Sequence, residues 1–224
     1  MHYFCQIQII FMHLIPELLL STAYLPPIEY MALIAHSKNV IIEKEESYPK
    51  QTYRTRCRIM TANGILNLTI PVQKPNGNNT KTKDIIVLNN DRWFINHWRA
   101  ICSAYSGSPF FLYYKDDIEP FFTGKDDSLI ILNTKLLNVL KELIGLDYDI
   151  NYSDSFIIPD NNNFDFRYSI SPKNESNPVI FEHYTQVFSN KFSFTPNLSI
   201  LDLLFNLGPE TKGYLDNVWN SVMK

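Results

Sequence analysis

The run KQTYRTRCRI, Lys50 to Ile59, carries the strongest local charge in the chain. Read as an extended strand, its period of two puts Arg54, Arg56 and Arg58 on one face and Gln51, Tyr53, Thr55 and Cys57 on the other. Three guanidinium groups on one face, with Lys50 nearby, can hold a phosphate, a diphosphate or a carboxylate through paired charged hydrogen bonds. The alternative is a solvated basic strand edge balanced by Glu43, Glu45 and Glu46. A nucleic-acid surface is the weakest of the three readings. Twenty basic against 23 acidic residues leave a net charge of -3, with no general pull on a polyanion.

Other residues offer other chemistry. His97, in WFINHWRAICSAY, is either a general acid or base or a packed helix residue. Asp165 and Arg167 form a charged pair in FDFRY, inside a polar, Asn-rich segment that reads as a surface or site-covering loop. Asp116 and Glu119 share a helical face at three-residue spacing and read either as a contact for a cation or sugar hydroxyls or as plain exposed helix acidity; with no His or Cys beside them a tight zinc site is not expected. Ser103, Ser106, Ser108 and Ser199 lack a G-x-S-x-G elbow. Three widely spaced cysteines, Cys5, Cys57 and Cys102, form neither a disulfide framework nor a CxxC knuckle, and they fit a reducing cytoplasm.

These residues need a scaffold, and 224 residues at 45% hydrophobic content can build one well-filled domain. Short apolar runs at Leu18 to Leu20 and Lys38 to Glu43 flank a helical stretch, Tyr30 to His36, and the order strand, helix, strand predicts an α/β fold. Leu18 to Leu20 and Val40 to Ile42 are expected as neighbours in a mainly parallel sheet flanked by helices. Further strands are expected at Ile65 to Val72, Asp84 to Leu88 and Tyr152 to Ile158. Helices are expected at Trp93 to Tyr105, Tyr113 to Phe122 and Ser128 to Ile144, the last closed by Gly145. An aromatic-rich helical C-terminal half follows, with Tyr184 to Phe192 and Ser199 to Leu207 as its helices. Ser199 caps the second, whose Leu201, Leu204 and Phe205 face inward while Asp202 and Asn206 share a polar face.

The opening residues, 1–17, read as a poorly defined extension before a single domain over 18–224. Their apolar run is broken by Gln6, Gln8, His13, Pro16 and Glu17, and no basic residue precedes Lys38. That pattern predicts neither a membrane span nor a signal peptide.

The ordered set LLLSTAYLPPIEY, KQTYRTRCRI, TIPV, NHWRAICSAY, PFFLYYKDD, FDFR and YTQVFSNKFSFTPNLSILDLLFNLGPE resembles the WbqC-like family, particularly the form common in Bacteroides-type bacteria. The resemblance covers about 18–210. It implies a role in O-antigen-like surface-polysaccharide biosynthesis or decoration, as a transferase acting on an activated or lipid-linked sugar, with glycyl or acyl transfer as one form. The alternative in the same pathway is a non-catalytic module binding a sugar phosphate or a protein. The cofactor is left open, and the partners would be a phosphate-bearing sugar or nucleotide sugar and pathway enzymes. Many relatives open with a pattern resembling HQPxYLPxxGY, where this chain has Ser21, Thr22 and Ala23 before Tyr24, Leu25 and Pro26. Neither hydroxyl replaces a histidine as a base near neutral pH. The resulting candidate site gives catalytic or orienting roles to His97, Asp202 and Asp165. Tyr24, Gln51, Arg54, Arg56, Arg58, Arg167, Gln186, Asn197 and Asn206 would bind substrate, and no metal would be held.

Overall fold

The computed structural model describes residues 14–158, 164–173 and 179–222. Most of the expected N-terminal extension therefore lies outside the described residues. Ile15, at its end, is buried and bridges Ser37 in parallel.

Four parallel strands form the main sheet, in the order β7-β2-β1-β8. They are β1 (Leu18–Ser21), β2 (Asn39–Glu43), β7 (Asp149–Tyr152) and β8 (Phe164–Asp165). Leu18 sits opposite Val40 and Leu20 opposite Ile42, the pairing expected from the two apolar runs. Helix α1 (Ile28–Ala35) makes the crossover between them. All four β1 residues are buried, as befits a central strand covered on both faces.

The chain winds from β1 through β2 to the outer strand β7, then returns to the opposite side of β1 as β8. That reversal creates a crevice between the carboxyl ends of β1 and β8, the place where open α/β sheets bind ligands. Two small antiparallel pairs lie outside this sheet: β3 (Arg56–Thr61) with β4 (Gly64–Thr69), and β5 (Val72–Gln73) with β6 (Ile86–Val87).

Helices α2 (Trp93–Tyr105), α3 (Phe111–Ile118) and α4 (Leu129–Ile144) follow the expected periodicities. Leu132, Leu136, Leu137 and Leu140 are buried along α4, and Gly145 ends it at φ +72°, a conformation that favours glycine. The C-terminal half adds α5 (Ile200–Leu207) and α6 (Thr211–Val222). The Ser199 hydroxyl accepts from Leu201 N, so the expected cap is present. His36 fastens α6 to α1: its Nε2 lies 3.2 Å from Asp216 Oδ1 and its ring stacks on Trp219.

Several sequence expectations fail: FDFRY is not a surface loop but supplies strand β8 and the buried Arg167, and the strand expected at Ile65 to Val72 is split into β4 and β5. The strand expected at Tyr152 to Ile158 ends at Tyr152. Beyond it the chain leaves the sheet, and the Ser153 hydroxyl and Ile157 N–H both donate to the Glu43 carboxylate. Tyr184 to Phe192 is not helical and makes only a turn over residues 186–192. Gln186 instead exchanges side-chain hydrogen bonds with the Thr195 backbone. Finally, β3 starts at Arg56, so Arg54 lies in the preceding turn and the three arginines do not share a strand face.

Candidate functional site

Ser21, the last residue of β1, sits at the reversal crevice. Its hydroxyl donates to the Arg167 carbonyl at 3.0 Å and receives a hydrogen bond from Arg54 Nη2. Tyr30 donates to the Ser21 carbonyl. Around this knot lie two buried charge assemblies. Arg54 donates to both Glu46 oxygens, at 2.7 and 2.8 Å. Arg167 donates to both Asp165 oxygens, from Nη2 at 2.6 Å and from Nε at 3.0 and 3.2 Å, and through Nη1 to Glu43 at 3.1 Å.

Glu43 and Glu46 have no exposed surface, and Arg167 has 1%. They are not the surface counter-charges that their position in sequence suggests. Each Glu43 oxygen accepts two hydrogen bonds, from Glu45 N and Ser153 on one side and from Ile157 N and Arg167 on the other. Such saturation is what allows a carboxylate to remain buried. Burial alone would raise the pKa of Asp165, but the hydrogen bonds and charge of Arg167 outweigh it and hold the carboxyl below its ordinary value.

The ion pairs nearly fill the crevice, leaving about 10 Å³. Space opens on either side. One cavity, about 210 Å³, is lined by Lys50, Gln51, Arg54, Arg167, Tyr168 and Lys173, among others. The other, about 340 Å³, includes Glu29, Tyr53, Arg58, Phe181, Thr195 and Asn197 in its wall. Ser171 lines both, and Arg54, Arg167 and Ile170 connect the smaller cavity to the crevice. Gln51 and Asn197 hold φ of +60° and +52°, an uncommon conformation outside glycine and one that clusters at ligand-binding positions.

The structure thus gathers Gln51, Arg54, Arg58, Arg167 and Asn197 around one set of adjoining cavities, with Asp165 behind Arg167. Arg56 is turned to Thr69 at 3.3 Å and lines none of the three.

His97 and Tyr24 form a separate pair in the core. The Tyr24 hydroxyl lies 2.9 Å from His97 Nδ1, and Trp93 packs edge-on against both rings. Burial pushes His97 down to about 4, although a hydrogen bond with the Thr69 backbone works the other way. Burial also pushes the Tyr24 phenol well up, so the pair is neutral at neutral pH.

Asp202, Gln186 and Asn206 form a third group. Asp202 Oδ2 accepts from Tyr184 at 2.5 Å and from Gln186 at 2.9 Å. Asn206 donates to the Asp202 main-chain carbonyl, not to its carboxylate. The expected pairing of these two side chains in a site therefore does not form, because an amide four residues on meets the helix carbonyl first. Asp202 Oδ1 and the Tyr105 hydroxyl are both buried, and neither closes a hydrogen bond of normal geometry. Burial raises the Asp202 pKa against the opposing influence of Tyr184, Gln186 and Tyr105.

Glu119, of the acidic helical pair, accepts from Trp98 Nε1, and Asp116 pairs with Lys115. Among the described residues no group of His, Cys, Asp and Glu has the arrangement of a metal site, and no helix is long and apolar enough to cross a membrane.

Sequence reasoning missed Ser21, Glu43, Glu46, Tyr53, Glu29 and Lys173 as parts of this region. For Ser21 and Glu43 a signal existed: each is the last residue of an apolar parallel strand, the carboxyl end at which such sheets place their sites.

The chain is 26% identical over 225 residues to the uncharacterized protein Rv1507c of Mycobacterium tuberculosis, covering 88% of this chain and 96% of that protein. No solved structure matches. The model of the WbqC-like protein family matches residues 22–179, from the crevice through the segment that carries Arg167 and Lys173, and stops short of the Tyr184 to Gly208 block. A match over that much of its length shows that the chain belongs to the WbqC-like protein family.

Proposed function

We propose that this protein works in the assembly or decoration of a surface polysaccharide in the cytoplasm, where it binds a phosphate-bearing sugar, nucleotide-activated or lipid-linked. One observation carries the reading. Lys50, Lys173, Gln51 and the Arg54 and Arg167 pairs converge on one cavity beside the carboxyl ends of parallel strands. The two arginines already hold carboxylates, so they supply a rigid polar wall. The exposed ammonium groups of Lys50 and Lys173 supply the charge a phosphate needs. Family membership supports the pathway, and O-antigen-like glycans are the substrates that pathway would serve.

Of the two biochemical roles, the geometry favours binding over transfer. His97 and Asp202 are buried, engaged with tyrosines and outside the cavities described above. Of the three catalytic candidates only Asp165 adjoins this region, behind Arg167, and it acts as a base only by giving up that partner. Titration calorimetry with nucleotide sugars tests the binding reading. The double variant Lys50→Ala/Lys173→Ala should lose about tenfold or more in affinity with an unchanged melting temperature. Unchanged affinity would remove this cavity from the reading. Isotope-labelled product formed by the wild-type protein from activated sugars and acyl donors would restore the transferase.

A further inference from the structure

The two cavities differ in what their walls ask of a ligand. The smaller presents Lys50 and Lys173, both exposed, as cations beyond the internal ion pairs. The larger has one carboxylate, Glu29, one guanidinium, Arg58, and the hydroxyls of Tyr53, Ser171 and Thr195. Glu29 is buried at 7% exposure and held by a reciprocal clasp: its N–H donates to Asn197 Oδ1 at 3.0 Å, and Asn197 Nδ2 donates to its Oε2 at 3.1 Å. The clasp is rigid because the chain on either side is tied down. Ile28 N donates to Leu198 O, Ile200 N to Pro26 O, and Ser199 N to Arg58 O. Val179, Phe181 and Pro196 add an apolar surface to the same cavity.

A wall that combines an acceptor carboxylate, a donor guanidinium and hydroxyls suits groups that both donate and accept. Ring hydroxyls are such groups, and the C–H face of a pyranose fits the apolar side. We infer that the larger cavity is a sugar subsite, with Glu29 and Arg58 reading vicinal hydroxyls while the phosphates of the same ligand lie toward Lys50 and Lys173. The volume suits one hexose, and Ser171 marks the junction where the glycosyl phosphate bond would pass. This inference rests on the reading that the ligand joins phosphate to sugar. It adds which end goes where and names Glu29 as the specificity residue.

Calorimetry on the full chain separates the two claims. The probes are uridine diphosphate and its glucose, galactose and N-acetylglucosamine conjugates. At least one conjugate should bind wild-type protein more tightly than uridine diphosphate. Glu29→Gln, nearly isosteric, should erase about tenfold of that preference and leave uridine diphosphate affinity unchanged. Asn197→Gly tests the clasp in a second way, since glycine keeps the positive φ while losing the amide, and the same selective loss is expected. Equal affinity for all four probes would overturn the sugar subsite and leave phosphate binding standing. Binding of none would overturn the phosphate reading, and saturation-transfer NMR with the free hexoses then decides the subsite. Transfer that Glu29→Gln abolishes would keep it, and no transfer would end it.

Discussion

Two aspartates, Asp165 and Asp202, are held in opposite ways. Asp165 lies at the end of β8, half buried, with the Arg167 guanidinium across both its oxygens. Asp202 has no exposed surface and leans on the neutral donors Tyr184 and Gln186. The first carboxyl is lowered in pKa and the second is raised. The difference is the nearby cation: a guanidinium repays the desolvation of a carboxylate, and neutral hydrogen bonds repay only part of it. The crevice region therefore keeps full charges next to open space. The C-terminal group uses one polar side chain to tie α5 to the segment around Thr195, through Gln186.

The largest expected effect comes from breaking the charged side of this contrast. Arg167→Ala strands Glu43 and Asp165, and it should cost about 3–5 kcal/mol in denaturant unfolding. Arg56→Ala, which removes a partly exposed arginine turned to Thr69, should cost only about 0–1 kcal/mol. Equal losses would mean that the Arg167 assembly is not the keystone its geometry indicates.

In the C-terminal region packing should outweigh polarity. Leu204 is fully buried, and Leu204→Ala should cost about 2–5 kcal/mol. Asp202→Asn should change stability at pH 7 by less than about 1 kcal/mol, because the lost acceptor is offset by relief of a buried charge. A larger loss on Asp202→Asn than on Leu204→Ala in paired thermal melts would reverse this ordering.

The pH dependence sharpens the contrast further. Asp165 is depressed when folded, so its contribution is present above the unfolded value of about 3.8 and is lost as pH falls through the folded value. Asp202 is raised when folded, so its charge adds a penalty that grows as pH rises from the unfolded value through the folded one. The stability cost of Asp165→Asn should accordingly shrink as pH drops toward 3. Asp202→Asn should become relatively more favourable as pH rises. Parallel profiles for the two variants would contradict the opposite assignments.

A further pH effect concerns His97. Its folded value of about 4 lies below the ordinary 6.5, so the unfolded chain takes up the proton first. Stability should be full above pH 6.5 and decline as pH falls toward 4. His97→Phe should remove that part of the decline. A catalytic imidazole open to solvent would instead titrate near its ordinary value by NMR.

Local pattern fixed much of the scaffold before any contact was known. Leu18 to Leu20 and Val40 to Ile42 are adjacent parallel strands because continuous apolar runs need burial on both faces. Helices α2 and α4 follow their apolar spacing, and Ser199 and Gly145 mark helix ends through chemistry that acts within a few residues. Family membership was legible for the same reason, in runs of residues fixed along the chain.

Only the tertiary structure decided which charges line open space and which hold the fold. Arg54, Arg56 and Arg58 look alike in sequence, yet one closes on buried Glu46, one turns to Thr69 and one lines a cavity. Glu43 meets Arg167 across 124 positions and Asn197 meets Glu29 across 168. A charge becomes structural or available according to the partner that reaches it and the water that is excluded. Both are set by segments far apart in the chain, so no local pattern of residue types carries that information.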